Sequence, residues 1–523
     1  MTYAYSPTTG LLTSLNANIQ GSSIPVTYTY QGANQLRSKT VGGVMVRAYN
    51  FRYNNDGSKS ALPDYINYRD PAGELMCGDN CFYDESGRLT EIRDSATVNR
   101  TDVTPVTIAT YGYDRQGQLT AATVGGTSYT YTYDTAGNIQ SKQIGGTTTN
   151  YTYGNGAWRD LLTAYDGHEI SYDGCGNPTR YYDGSAFTWT QGRRLATATV
   201  GNTNISYAYD MAGVRSSKTV NGTEYKFTTL SGLVTRQTGG GKTIDFIYDD
   251  SNQPLAMKYN GTLYYYILNA QGDVVRIIDG SRNVVASYSY DPWGKIISSS
   301  GALAEVNPLR YRGYYYDSET GFYYVSSRYY DPEIGRWINA DGYVSTGQGV
   351  LGSNMFAYCG NNPVNRKDPT GQFWSEIWEF AKTAVSETGK AIGTLSPAYA
   401  GCGGAALADG PLPIGDLIGL TVAALLTVGA VGYGIYQATR APAISFPKVE
   451  EKSETIVIPK KLDSPVVFPV DPNTFNPAGL FKVSRAGTKN GAFISWMDPL
   501  TNTEVFRWDE NPNYSNGPHY HIY

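Results

Sequence analysis

The chain has 523 residues, a net charge of −5 and only 17% charged residues, well below the roughly 25% of an average soluble domain. That balance excludes a basic nucleic-acid coat. Tyr occurs 46 times against 15 Phe and 8 Trp, and Gly 59 times, a bias that points to an internal repeat.

Length alone suggests several domains. The first residues, MTYAYSPTTGLLTSL, lack a basic stretch followed by an apolar one, so no N-terminal signal peptide is expected. Five cysteines, at 77, 81, 175, 359 and 402, are too sparse for a disulfide framework. The Cys77/Cys81 pair has no second pair at zinc spacing, so neither a metal nor a cofactor is expected.

A Tyr-Asp-x-x-Gly unit recurs along the chain. Tyr113-Asp114 with Gly117, Tyr133-Asp134 with Gly137, Tyr153 with Gly156, and Tyr172-Asp173 with Gly176 follow one another at a near-constant step. Looser copies begin at Tyr53, Tyr83, Tyr209, Tyr290 and Tyr316. Asp at the first position and Gly at the fourth favour a type I turn. The flanks read as strands: in residues 129–133, Tyr-Thr-Tyr-Thr-Tyr, the rings share one face and the threonines the other. Residues 26–30 and 206–210 read the same way. A hairpin of this size is marginal alone, so sequential stacking into a long antiparallel sheet is expected, with tyrosine packed on tyrosine along one face.

On these repeats, and on Pro308-Leu-Arg-Tyr-Arg-Gly-Tyr-Tyr-Tyr-Asp-Ser-Glu-Thr-Gly321, Tyr323-Tyr-Val-Ser-Ser-Arg-Tyr-Tyr-Asp-Pro-Glu-Ile-Gly-Arg-Trp337 and Asn361-Asn-Pro-Val-Asn-Arg-Lys-Asp-Pro-Thr-Gly371, the chain resembles the rearrangement-hotspot (Rhs) or YD-repeat family over residues 1–373. The resemblance implies a β-sheet cocoon plugged by a core module, with a variable toxic domain after the Asp-Pro-x-Gly element. A stretch of that length is too short to close such a cocoon, so a partial one is expected. Some members cut themselves behind that element with two aspartates. By resemblance these are Asp341 and Asp368, with Arg336 beside the first and cleavage near Gln372 and Phe373. Two carboxylates brought close cannot both ionise, which makes one an acid and the other a base. The plain alternative is that Asp368-Pro-Thr-Gly371 is only a turn.

The expected organisation is therefore mainly β: a repeat shell over 1–304, a core module over 305–372, a helical region over 373–440, a Pro-rich linker over 441–472 and a small β-rich domain over 473–523. Apolar residues from Trp374 to Thr388 recur at spacings of three and four, fitting an amphipathic helix. Residues 417–436 form an uncharged run of 20, long enough to span a bilayer as a helix or to pack inside the shell. In the last domain, strand-like runs at 480–484, 491–497 and 503–508 alternate with turn residues.

Of three histidines in the chain, two are His519 and His521. If 518–523 is a strand, both lie on one face and suit acid–base cleavage of RNA through its 2′-hydroxyl. Lys489 and Arg507 are candidates for steadying the charged phosphorane, and Asp509 or Glu510 for orienting a histidine. The tip also resembles short toxin domains of polymorphic toxins, although residues 460–523 hold six Lys/Arg and six Asp/Glu, giving no basic stripe.

Two functions follow. One is a polymorphic-toxin carrier with a ribonuclease tip, whose partners are a cognate immunity protein and RNA of the target cell, with membrane contact through 417–436. It would be secreted or surface-borne by a non-classical or contact-dependent route. The other is a surface structural protein without enzymatic activity whose exposed tyrosine faces bind cell-wall carbohydrate.

Overall fold

A computed structural model describes residues 1–31, 35–53, 59–98, 104–342, 350–372, 375–376, 481–488, 491–497, 504–510 and 519–522. The chain divides into two compact units, Met1–Ala441 and Pro442–Tyr523. Among the described residues of the first unit, strands run strictly in chain order through two antiparallel sheets. One has 15 strands, from Thr2–Tyr5 to His168–Glu169, and the next has 14, from Ser171–Tyr172 to Ile296–Ser300.

The repeat explains this order. In the copy at Asp134, the aspartate N–H donates to Asn138 O at 2.9 Å and Gly137 N–H to Asp134 O at 3.1 Å. The side chain closes the loop: Asp134 Oδ1 accepts the Asn138 N–H at 2.8 Å, and Oδ2 accepts Asn138 Nδ2 at 2.9 Å. Gly137 has φ +79°, the left-handed position of a type I turn with a bulge. The register shift falls beside it, between Thr132 and Tyr133. The same bonds recur at Asp84, Asp114 and Asp173.

Alternation runs as expected, with Tyr129 and Tyr131 buried and Thr130 and Thr132 exposed. The expected ring-on-ring ladder is only local. Tyr151 meets Tyr165 at 5.1 Å and Tyr165 meets Tyr182 at 4.7 Å. The last tyrosine of a repeat instead donates its hydroxyl to a backbone carbonyl of the preceding hairpin: Tyr133 to Leu119, Tyr153 to Ile139, Tyr209 to Leu195 and Tyr248 to Val234. A buried phenol needs an acceptor, and the bulged strand end next door supplies one.

The shell curls so that its first strands meet strands of the second sheet. Leu15, Ile24, Val26 and Met45 share a core with Ile247, Ala256, Ile267 and Ile278. Lys39 reaches Asp249 at 2.7 Å and Asp250 at 2.9 Å across the same contact.

Residues 308–342 and 350–372 fill the concavity. Their sheet of four short strands, Tyr315–Asp317, Phe322–Val325, Arg328–Asp331 and Arg336–Trp337, is almost wholly buried and joins one continuous core with both shell sheets. Arg215 and Asp317, both fully buried, form an ion pair that Lys218 shares through the other carboxylate oxygen at 2.9 Å. The Arg215 guanidinium also lies over the rings of Phe227, Tyr315 and Tyr324 at 4.9, 5.0 and 4.3 Å. Toward the first sheet, Asn361 donates to Gln118 Oε1 and Gly137 O, Asn362 donates to Gly117 O, and Asn365 accepts from Leu89 N–H.

One helical expectation fails at its start. Ser375–Glu376 pairs antiparallel with Arg366–Lys367, so the start of the expected helix from Trp374 is a strand; backbone pairing with the end of the core module overrides a weak helical periodicity. The described residues contain no α-helix, and none of their helices is long and apolar enough to cross a membrane. The hydrophobic segment 417–436 and the linker 441–472 lie outside the described residues. In the second unit, Phe481–Thr488, Gly491–Met497, Glu504–Glu510 and His519–Ile522 form a four-stranded antiparallel sheet.

Two stability predictions follow from these buried charges. Asp317→Ala leaves Arg215 and Lys218 as facing buried cations and should cost about 3–5 kcal/mol. Glu224→Ala, at the exposed Lys226 pair, should cost about 0.5 kcal/mol or less; chemical unfolding of the two variants checks the contrast. Burial pushes the Asp331 carboxyl up to about 7, and those of Asp79 and Asp291 up to about 6. The folded chain therefore holds these protons more tightly than the unfolded chain. Their contribution is fully present below about pH 4 and is lost as pH rises through about 6 to 7. The opposing carboxylate Glu333, lowered to about 2 by Lys142 and Lys295 despite its burial, loses its contribution only under stronger acid. Melting temperature should thus rise from pH 8 to pH 5, and Asp331→Asn should flatten that rise.

Candidate functional site

Asp341 and Asp368 come together around one buried guanidinium. It belongs to Arg328, which opens the third strand of the core sheet and lies against the Trp337 ring at 4.2 Å. Arg328 Nη2 stands 2.8 Å from Asp341 Oδ2 and 3.7 Å from Asp368 Oδ2. Its Nη1 donates to Met355 O at 3.1 Å, and its Nε donates to the carbonyl of Gly371.

Each aspartate is fixed by its own backbone. The Asp341 N–H donates to Met355 O at 3.0 Å. Asp368 Oδ1 accepts the N–H groups of Thr370, Gly371 and Gln372 at 3.2, 2.8 and 3.2 Å. Tyr314 accepts the Asp368 N–H and donates to its carbonyl, and Ser327 Oγ donates to Thr370 O at 2.8 Å. The Asp-Pro-Thr-Gly element is thus a turn, as the plain reading held, and the same turn delivers the Gly371 carbonyl to Arg328. Gly371 has φ +77°, and a Cβ there would stand 2.5 Å from Val325 O.

The electrostatics divide the two carboxyls. Burial raises the Asp368 carboxyl despite Arg328 and the three N–H donors, and burial lowers Arg328 despite its two acidic neighbours. One guanidinium between two buried carboxyls compensates one negative charge, so the carboxyl of Asp368, raised by burial, is the one disposed to hold a proton. Such a group can polarise a carbonyl, donate a proton and accept one.

Arg336 is not part of this group. Although next to Trp337 in sequence, it donates to Tyr153 Oη at 2.9 Å and Asp160 O at 2.7 Å, tying the core module to the first sheet. Strand alternation sends it to the shell while Arg328, further away in sequence, faces Asp341. Gln372 lies at the end of the turn; Phe373 lies outside the described residues.

In the second unit, His519 pairs in register with Asp509 and His521 with Arg507. All four lie on one face of the sheet, because paired residues share a face and residues two apart return to it. Glu510 stands on the other face, paired with Ala492. Lys489 lies outside the described residues.

Fold and core place the chain among YD-repeat shells, and comparison with known proteins agrees. It belongs to the teneurin YD-shell family, whose profile matches residues 73–364. The tRNA3(Ser)-specific nuclease WapA of Bacillus spizizenii is 38% identical over 227 residues, 42% of this chain and 10% of that protein. Toxin subunit YenC1 of Yersinia entomophaga is 26% identical over 257 residues, 42% of this chain and 26% of that protein. A solved structure of TcdB2-TccC3-Cdc42 superposes with a TM-score of 0.58 at 20% identity, covering 73% of this chain and 21% of that one. The match thus spans about a tenth of the length of WapA.

Proposed function

We propose that this chain is the carrier and tip of a polymorphic toxin: a partial YD shell that holds and cuts the segment leading to a small ribonuclease. Supporting the first part is the Asp341–Arg328–Asp368 group closed on the Gly371 carbonyl, at the point where the core module ends and the variable sequence begins. Arg328 polarises the carbonyl. Asp341 takes a proton from an attacking water, and Asp368 gives its proton to the departing amide nitrogen, so hydrolysis leaves a carboxylic acid and a free amine. The bonds in question join Gly371, Gln372 and Phe373.

The second part rests on His519 and His521 sharing a face with Arg507. One imidazole takes the 2′-hydroxyl proton as that oxygen attacks phosphorus. The other protonates the departing 5′-oxygen, and Arg507 steadies the phosphorane. The ends formed are a 2′,3′-cyclic phosphate and a 5′-hydroxyl. The names of the WapA relatives, which include a tRNA(Glu)-specific nuclease, favour tRNA as the substrate and make an immunity protein in the producing cell a necessary partner. Delivery by a contact-dependent secretion route fits that use. Carbohydrate binding is the less favoured alternative, because Tyr129, Tyr131, Tyr151 and Tyr207 of the repeats are buried, while Tyr3, Tyr5 and Tyr53 are exposed.

Purified full-length chain should convert to two fragments divided next to Gly371, read by intact mass. Asp341→Asn and Asp368→Asn should each slow this by about a hundredfold or more, and the rate should fall on the alkaline side as Asp368 loses its raised proton. Conversion at the wild-type rate in both variants would remove the self-cleavage reading. Induced expression of the full chain should arrest growth and degrade RNA, and the His519→Ala/His521→Ala double variant should do neither. Unchanged RNA breakdown in that variant would remove the histidine mechanism.

A further inference from the structure

The register of the C-terminal sheet orders more than the two histidines. One cross-strand row runs Arg485, Phe493, Asp509, His519, and the next on the same face runs Val483, Ser495, Arg507, His521. The rows of the opposite face run Ser484, Ile494, Trp508, Tyr520 and Lys482, Trp496, Phe506, Ile522. The sheet therefore has one face on which aromatic and aliphatic residues predominate and another that bears two histidines, two arginines, an aspartate and a serine beside four apolar residues, Phe481, Val483, Phe493 and Met497. Such a division is that of a sheet covered on one side only. Phe493 is the apolar residue of that face that stands in the row of Asp509 and His519, next to Arg485.

We infer that this face is a track for an unpaired RNA strand, in which Phe493 stacks a base beside the scissile phosphate and Arg485 holds a flanking phosphate. The inference rests on the ribonuclease reading of the tip. Adjacent strands lie about 4.8 Å apart, which places Arg485 roughly 14 Å from His519 across three strand intervals. That is too far to share one phosphate and suits a neighbouring one along the chain. Bases can stack on an aromatic residue in the middle of a sheet only where they are unpaired and splayed out. The substrate class is thus single-stranded RNA or an RNA loop, with a duplex excluded. A charge-balanced domain without a basic stripe needs such stacking to hold RNA, since its phosphate contacts are few.

The test is steady-state cleavage of an unpaired oligoribonucleotide, and of the same sequence in a duplex, by the full chain. Phe493→Ala should raise KM about tenfold or more with kcat little changed, while Phe493→Tyr, which keeps the ring, should stay near wild type. Arg485→Ala should raise KM and lower its salt dependence by about one unit of log–log slope. The inference is overturned if Phe493→Ala keeps the wild-type KM, if Phe493→Tyr is as impaired as Phe493→Ala, or if duplex is cut as fast as single strand. Cleavage indifferent to residue 493 sinks this inference alone. No RNA cleavage by the wild-type chain sinks the ribonuclease reading together with it.

Discussion

The first unit depends on the burial of charge between the shell and its core module. Arg215 from a shell strand and Asp317 from the core sheet meet where water is absent, with Lys218 on the second carboxylate oxygen and aromatic rings around the guanidinium. Arg312 and Asp273 repeat the arrangement at 2.7 Å elsewhere in the same interface. Buried pairs of this kind add little net stability over apolar packing, but mispairing them costs several kcal/mol. They therefore act on specificity. A core module shifted by one residue would leave ions unpaired inside the concavity, whereas an apolar plug could settle in many ways.

The buried group around Arg328 inherits its geometry from this fit. Ser326, in the turn just before Arg328, donates to the shell carbonyl of Gly232, and Tyr324 in the adjacent strand accepts the Arg215 N–H. Trp337, on which the guanidinium lies, meets Tyr330 and Tyr358 edge to face. The shell thus sets the core sheet, the core sheet sets Arg328, and Arg328 sets the Gly371 carbonyl. A bimolecular encounter of carboxyls and peptide becomes a held geometry, and the rigidity comes from residues far apart in sequence.

Much of the fold was legible from local rules. Asp and Gly spacing marked each hairpin, Tyr/Thr alternation marked each buried face, and strand runs close to the carboxyl terminus marked a small sheet. What was not legible depended on tertiary partners. Arg336 was expected beside Asp341 by resemblance, and nearness in sequence carries no information about which face of a strand meets Asp341, where Arg328 stands instead. The asparagines at 361, 362 and 365 entered only as part of a motif, yet they bond to hairpins of the first sheet, far earlier in the chain. Residues 375 and 376 lie in a stretch with a helical pattern, and pairing with Arg366–Lys367 makes them a strand instead. Phe493 and Arg485 were invisible as site residues because only the strand register puts them in line with the histidines.

The low charge content follows from the same division of labour between faces. On the outer face, hydroxyl pairs link neighbouring strands: Thr132 with Ser141 at 2.7 Å, and Thr29 with Ser38, Thr188 with Thr197, and Ser289 with Ser298 at 2.6 Å. Each pair spans nine residues, so it is a hidden part of the repeat. Thr and Ser satisfy a solvated strand face without charge and favour β structure through branching in the case of Thr. Inward, a phenol fills the core with a single polar atom, and the carbonyl at the neighbouring bulge accepts its proton. Charged residues are then needed chiefly where shell and core module must be matched, and there a proton can decide the balance. Asp331 sits among Tyr181, Tyr182 and the Glu333 N–H. Burial raises its carboxyl to about 7 against these hydrogen bonds, whereas the two lysines on Glu333 hold that carboxylate down at about 2.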